Sequence, residues 1–125
     1  MYQTIAMLKP GCAFSVTDMH ALVKEVASSG SGSLSQSGTT SKLSSSANYL
    51  TIGFSDAPHV AVESKELADT YGLPCGQSTK RIEICGNDPD MDLFNDYLII
   101  AEKLHGTGKF VVYDLAEGKL MFPEG

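Results

Sequence analysis

Apolar and polar positions alternate, or recur every third or fourth residue, along most of this chain, and the changes of period mark its elements. The last third is the clearest. Arg81-Ile82-Glu83-Ile84-Cys85 alternates, the signature of a half-buried strand. Gly86-Asn87-Asp88-Pro89 is turn chemistry. Asp88, Asp90 and Asp92 sit where a helix is expected to begin, near free backbone N–H groups and the positive end of its dipole. Phe94, Tyr97, Leu98, Ala101 and Leu104 form one helical stripe, with Lys103 and His105 in the last turn and Gly106 as the stop. Phe110–Tyr113 and Lys119–Phe122 read as a hairpin around Asp114–Gly118.

The first two thirds are read the same way. Tyr2–Leu8 is a strand with an apolar middle, and Pro10-Gly11 turns the chain. Ser15 or Thr17 caps a helix carrying Val16, Met19, Leu22, Val23 and Val26, with Gly30 after its end. Asn48–Phe54 alternates with Leu50, Ile52 and Phe54 on one side, and Ser55–Pro58 is a turn. His59–Val62 reads as a short strand, and Ser64 as the cap of a helix with Leu67, Ala68 and Tyr71 inward and Gly72 at its end. Residues 28–46 hold ten serines, three glycines and two threonines against two leucines. That composition suits a flexible linker or a pair of solvated strands turning near Gly38. Little chain precedes the segment to be linked, which favours exposed edge strands plus a loop.

These elements predict a single α+β domain over residues 1–125. It is a mainly antiparallel β-sheet with three helices packed on one side, in the order strand, helix, four strands, helix, strand, helix, hairpin.

Charge narrows the partners. Nine basic against fifteen acidic residues give −6, and Arg81 is the only arginine. Both oppose a nucleic-acid or anionic-membrane surface. Cys12, Cys75 and Cys85 are odd in number and widely spaced, which points to a reducing, cytoplasmic setting. Met1–Leu8 lacks the layout of a signal peptide, and no apolar run is long enough to span a bilayer.

No motif carries chemistry. Asp88-x-Asp90-x-Asp92 opens like a calcium loop, but Leu93 and Ile99 stand where the EF-hand needs Gly and Glu. Gly106-Thr107-Gly108-Lys109 lacks the earlier Gly and the following Ser or Thr of a phosphate loop. Zinc spacings are absent, so no metal and no cofactor is expected. Cys85 with His59 is the one arrangement that could form a thiol nucleophile, and Glu63, Glu83 and Asp96 the one set of carboxylates that could converge. Catalytic residues are therefore assigned to none.

Glu63–Tyr71, Arg81–Ile84, Asp88–Met91 with Asn95–Leu98, and Val112–Asp114 before Gly118-Lys119 carry a resemblance. Over residues 58–122 the chain resembles small acidic bacterial α+β proteins, some assigned as immunity proteins of toxin systems and others products of mobile, integron-type gene cassettes. The resemblance implies no active site. It implies a non-enzymatic acidic recognition protein, an immunity-type inhibitor in its concrete form. Negative charge would speed docking to a basic protein partner. The expected contact surface is Asp56, Asp88, Asp90, Asp92 and Tyr113. The alternative is a small-ligand module with a pocket lined by Phe54, Tyr71, Phe94 and Tyr97. A Ser-rich edge strand could also pair with a second copy as a homodimer.

Overall fold

The computed structural model describes residues 2–30 and 32–123. In chain order the elements are β1 (Tyr2–Leu8), α1 (Val16–Ser29), β2 (Ser33–Ser37), β3 (Thr40–Ser45), β4 (Asn48–Ser55), α2 (Pro58–Tyr71), β5 (Arg81–Asn87), α3 (Phe94–Gly106), β6 (Phe110–Asp114) and β7 (Lys119–Leu120). The strands form one sheet in the order β2-β3-β4-β5-β1-β6-β7, and every described pairing is antiparallel. The chain is an α+β fold with three helices on a mainly antiparallel sheet.

Alternation along the strands splits the apolar residues between two faces. On the inner face Ala6 and Leu8 of β1 meet Leu43, Leu50, Ile52, Ile82, Ile84, Phe110 and Val112, and α1 and α3 cover them with Met19, Val23, Val26, Tyr97, Ile100 and Leu104. On the outer face Ile5, Met7, Val111 and Tyr113 pack with Cys75 beneath Leu67 and Ala68 of α2. So α1 and α3 share one side, as expected of all three helices, and α2 lies on the other. The physical reason is β1 itself, whose five consecutive buried residues Thr4–Leu8 place apolar side chains on both faces.

Local chemistry accounts for the helix ends. Ser15 caps α1 as part of a capping box: its hydroxyl accepts from the Asp18 N–H (3.1 Å), and the Asp18 carboxylate accepts from the Ser15 N–H (2.9 Å). Helix α2 begins earlier than its pattern suggested. Pro58 occupies the first turn, where its fixed φ suits a helix, so His59–Val62 is helix and not strand. Three strands, not four, therefore lie between α1 and α2, and Ser64 is buried within α2 instead of capping it. Gly72 closes α2 in the left-handed conformation (φ 68°).

Most of the serine-rich segment is sheet, as β2 and β3. Strand β3 lies between β2 and β4 with Ser41 and Leu43 buried, whereas β2 is an edge strand, exposed except for half-buried Leu34. His20 of α1 holds the hairpin. Its Nε2 donates to the Gly38 carbonyl (2.9 Å), and its Nδ1 lies 2.7 Å from the Ser41 hydroxyl. Gln36 adds a bond to the His20 carbonyl (2.7 Å). His20 is thus a tether between helix and hairpin, not a solvated side chain.

Helix α2 leaves part of the outer face uncovered. One cross-strand row there runs Ser35, Lys42, Thr51, Cys85, Gln3 across five strands. Lys42 also lies over the exposed Tyr49 ring, 5.4 Å from its centroid.

Candidate binding site

The border between the covered and uncovered parts of the outer face is ionic. Arg81 opens β5 and, with Glu83 two residues on, points to that face because strand side chains alternate. Its side chain is 7% exposed. Nη1 donates to Glu63 Oε1 of α2 (2.7 Å), while Nε (2.8 Å) and Nη2 (2.7 Å) both reach Glu83 Oε2. One guanidinium thus joins helix and sheet, and both carboxylates stay partly in water. His59 Nε2 stands 4.0 Å from Glu83 Oε2. Of the three carboxylates that could converge, Glu63 and Glu83 do. Asp96 lies with the inner-face helix α3.

Beside this cluster runs a groove of about 650 Å³. Helix spacing brings Glu63, Glu66, Leu67, Thr70 and Tyr71 of α2 along one wall. Gln3, Ile5 and Arg81 supply the sheet side, and Leu115 of the β6–β7 turn supplies the far end. Tyr71 is exposed and its ring stands 5.7 Å from that of the buried Tyr113. Hydrogen bonding with Tyr71, then burial, pushes the Tyr113 hydroxyl up to about 12, so it is neutral at physiological pH. A second hollow, of about 620 Å³ between α1 and the end of α3, has charges matched across it, with Lys103 Nζ 3.1 Å from Glu25 Oε1. The α2 groove is different: Glu63, Glu66 and the adjacent Glu83 outnumber the single guanidinium.

Of the aspartates expected on a contact surface, Asp56, Asp90 and Asp92 are exposed, and three of the four are bonded within the fold. Asp88 is buried. Its Oδ2 accepts from the Tyr2 hydroxyl (2.7 Å) and the Leu93 N–H (3.0 Å), tying β1 to the start of α3. Its Oδ1 is buried with no hydrogen-bond partner among the described residues. Asp90 and Asp92 accept from Asn48 Nδ2 (3.1 and 3.2 Å), and Asp92 also from the Ser45 hydroxyl (3.3 Å). These residues clamp the β5–α3 loop onto the β3–β4 turn. Asp56 follows the other end of β4, roughly 25 Å away at the rise of a strand. Tyr113 lies beneath α2. These five residues therefore form no common surface. Nor do Phe54, Phe94, Tyr97 and Tyr71 share a pocket. Phe54, Phe94 and Tyr97 belong to the inner core, where Tyr97 stacks on Tyr2 at 4.3 Å, and Tyr71 stands on the opposite face.

The buried Asp96 is perturbed as well. Burial and then the charge of Asp88 raise its carboxyl above the ordinary aspartate value. Gly30 lies against it, and a Cβ there would collide with Asp96 Oδ1 and force that side chain to shift. No group of three or more His, Cys, Asp or Glu among the described residues is placed to hold a metal ion.

The thiol reading finds no geometry. Burial and then Glu83 raise the Cys85 thiol, against the thiolate a nucleophile requires, and the close partner of His59 is Glu83. Cys75 is buried and donates to the Ser64 carbonyl (3.5 Å). No described helix is long and apolar enough to cross a membrane.

Sequence reasoning missed the groove. The signal available was Arg81-x-Glu83 on one strand face, with Glu63 and Glu66 on a nearby helix. No protein-family model matches the chain, and no curated protein or solved structure shows significant similarity to it.

Proposed function

We propose that the chain is a non-enzymatic recognition domain that receives a basic side chain of a protein partner in the groove between α2 and the sheet. The observation that carries this reading is the composition of the groove, with an excess of carboxylates above a partly apolar floor. Lysine and arginine bury their aliphatic stems and keep their charged heads near anions and aromatic faces. Ile5, Leu67 and Leu115 suit the stem, and Glu63, Glu66 and the exposed Tyr71 suit the head. A net charge of −6 favours encounter with a basic partner at the same time. In its concrete form the partner is a basic toxin and the chain its immunity-type inhibitor. The fit is weaker for an enzyme, since Glu63 is held by Arg81 and no cysteine, serine or histidine lines the groove among the described residues.

The test is titration of the isotopically labelled protein with short arginine-containing peptides and their alanine counterparts, read by amide chemical shifts. Shifts confined to residues 63–71, 81 and 115, weakening as salt is added, are expected. Glu66→Gln should weaken binding about threefold, the scale of one exposed ion pair. Shifts centred on the 88–92 loop, or none at millimolar peptide, would dismiss the groove. A guanidinium compound that binds as well as the peptide would make it a small-ligand pocket instead.

A further inference from the structure

The two edges of the sheet are unlike. Strand β7 is two residues long, carries Lys119 and is followed by Pro123, the features that keep an edge from pairing. Strand β2 has β3 on one side and, among the described residues, no strand on the other. Over Ser33-Leu34-Ser35-Gln36-Ser37 it has no charge, no proline and no glycine. We propose that β2 pairs antiparallel with β2 of a second copy about a twofold axis at Ser35, joining two seven-stranded sheets into one.

The sequence of the strand is what favours a second copy over any other chain. Reversal about Ser35 sets Ser33 opposite Ser37, Leu34 opposite Gln36, and Ser35 opposite itself. Every outer-face pair is then serine against serine, the same surface from both copies, as an isologous interface requires. Serine side chains alone line the outer face of the seam, so nothing bulky meets at the axis. The strand is also prepared for pairing. Gln36 Nε2 bonds the His20 carbonyl (2.7 Å) and the Ser41 hydroxyl (3.1 Å), and His20 holds the Gly38 carbonyl. Pairing therefore orders little that is not already ordered. Charge fits as well, for the only charged residue among β2 and β3 is Lys42, whereas the chain as a whole carries −6. Two copies repel through their overall charge and not at the seam, so added salt should strengthen the dimer. Groove binding should weaken with salt, and the proposal stands apart from that reading.

The test is sedimentation of the full chain from about 10 µM to 1 mM at low and high salt, a span suited to an interface of this small size. Weak self-association that tightens with salt is expected. Ser35→Lys and Ser35→Glu each set two like charges opposite one another, which should raise the dimer dissociation constant about fivefold or more. An equimolar mixture of the two variants should recover association, because unlike charges then meet at the axis. Amide exchange along β2 in the unmodified chain should slow with protein concentration, which needs no variant. A chain monomeric throughout the range would overturn the proposal. So would variants that associate like the original, or a mixture that fails to recover. Capture of a foreign strand by β2 with no self-pairing would assign the edge to another partner and equally refute it.

Discussion

Replacing Arg81 by Met tests the ionic border between α2 and the sheet. The change keeps most of the aliphatic stem and removes three short contacts, Nη1 to Glu63 at 2.7 Å and Nε and Nη2 to Glu83 at 2.8 and 2.7 Å. Truncating one partner of a buried ion pair costs roughly 3–5 kcal/mol, because the other charge is left without water or partner. An exposed pair contributes only about 0–1 kcal/mol. Here the guanidinium is buried, but Glu63 and Glu83 are 46% and 34% exposed and can regain water. The expected loss lies between the limits, about 2 kcal/mol. For a chain of 125 residues that corresponds to a fall in Tm of about 8 °C. Urea unfolding should show a lower midpoint with an unchanged slope. Glu63→Gln combined with Arg81→Met should cost less than the sum of the two single changes, since the groups contact one another. A loss below about 0.5 kcal/mol would refute the reasoning. So would strict additivity, because the two groups would then not be acting on one another.

Gly86→Ala should destabilise by about 1–3 kcal/mol, the cost of forcing atoms into a packed interior. Its Cβ would collide with the Tyr49 carbonyl and lie 3.0 Å from Leu50 Cα, backbone that cannot swing aside, and thermal unfolding will show the size of the loss. Asp96→Asn should stabilise the protein at neutral pH. The native carboxyl titrates above its unfolded value, so the folded state binds the proton more tightly and ionisation above the native value costs stability. As pH falls through the native value toward the ordinary aspartate value that cost disappears, and the advantage of the Asn variant should shrink with it. Urea midpoints for both proteins between pH 4 and pH 7 check this, and an advantage that grows on acidification would reverse the assigned sign.

Most elements were legible because their periods are local properties. The 3–4 spacing from Phe94 to Leu104 and the alternation of Leu50, Ile52 and Phe54 mark core faces whatever the topology. The serine-rich segment shows where composition misleads. Ser41 is buried and Leu43 packs in the core, because a strand between two neighbours is sheltered even when its side chains are small and polar. The start of α2 was missed because a proline reads equally as turn or first helical residue. The carboxylates before α3 were read as its caps, yet no side chain caps it; Asp88, five residues upstream, accepts a backbone N–H only from Leu93, the residue in the cap position.

What the sequence determined by itself is which residues turn the same way along each element, and that an acidic chain would carry its single arginine at a strand start. Tertiary structure decided the rest. It set α2 on the face opposite α1 and α3, brought Glu63 to Arg81 across 18 positions of chain, and drew Asp88 inside while leaving β2 at an edge. The reason is that periodicity fixes direction about one axis only. Which strands become neighbours, and hence which charges meet and which edge stays open, depends on contacts distant in sequence.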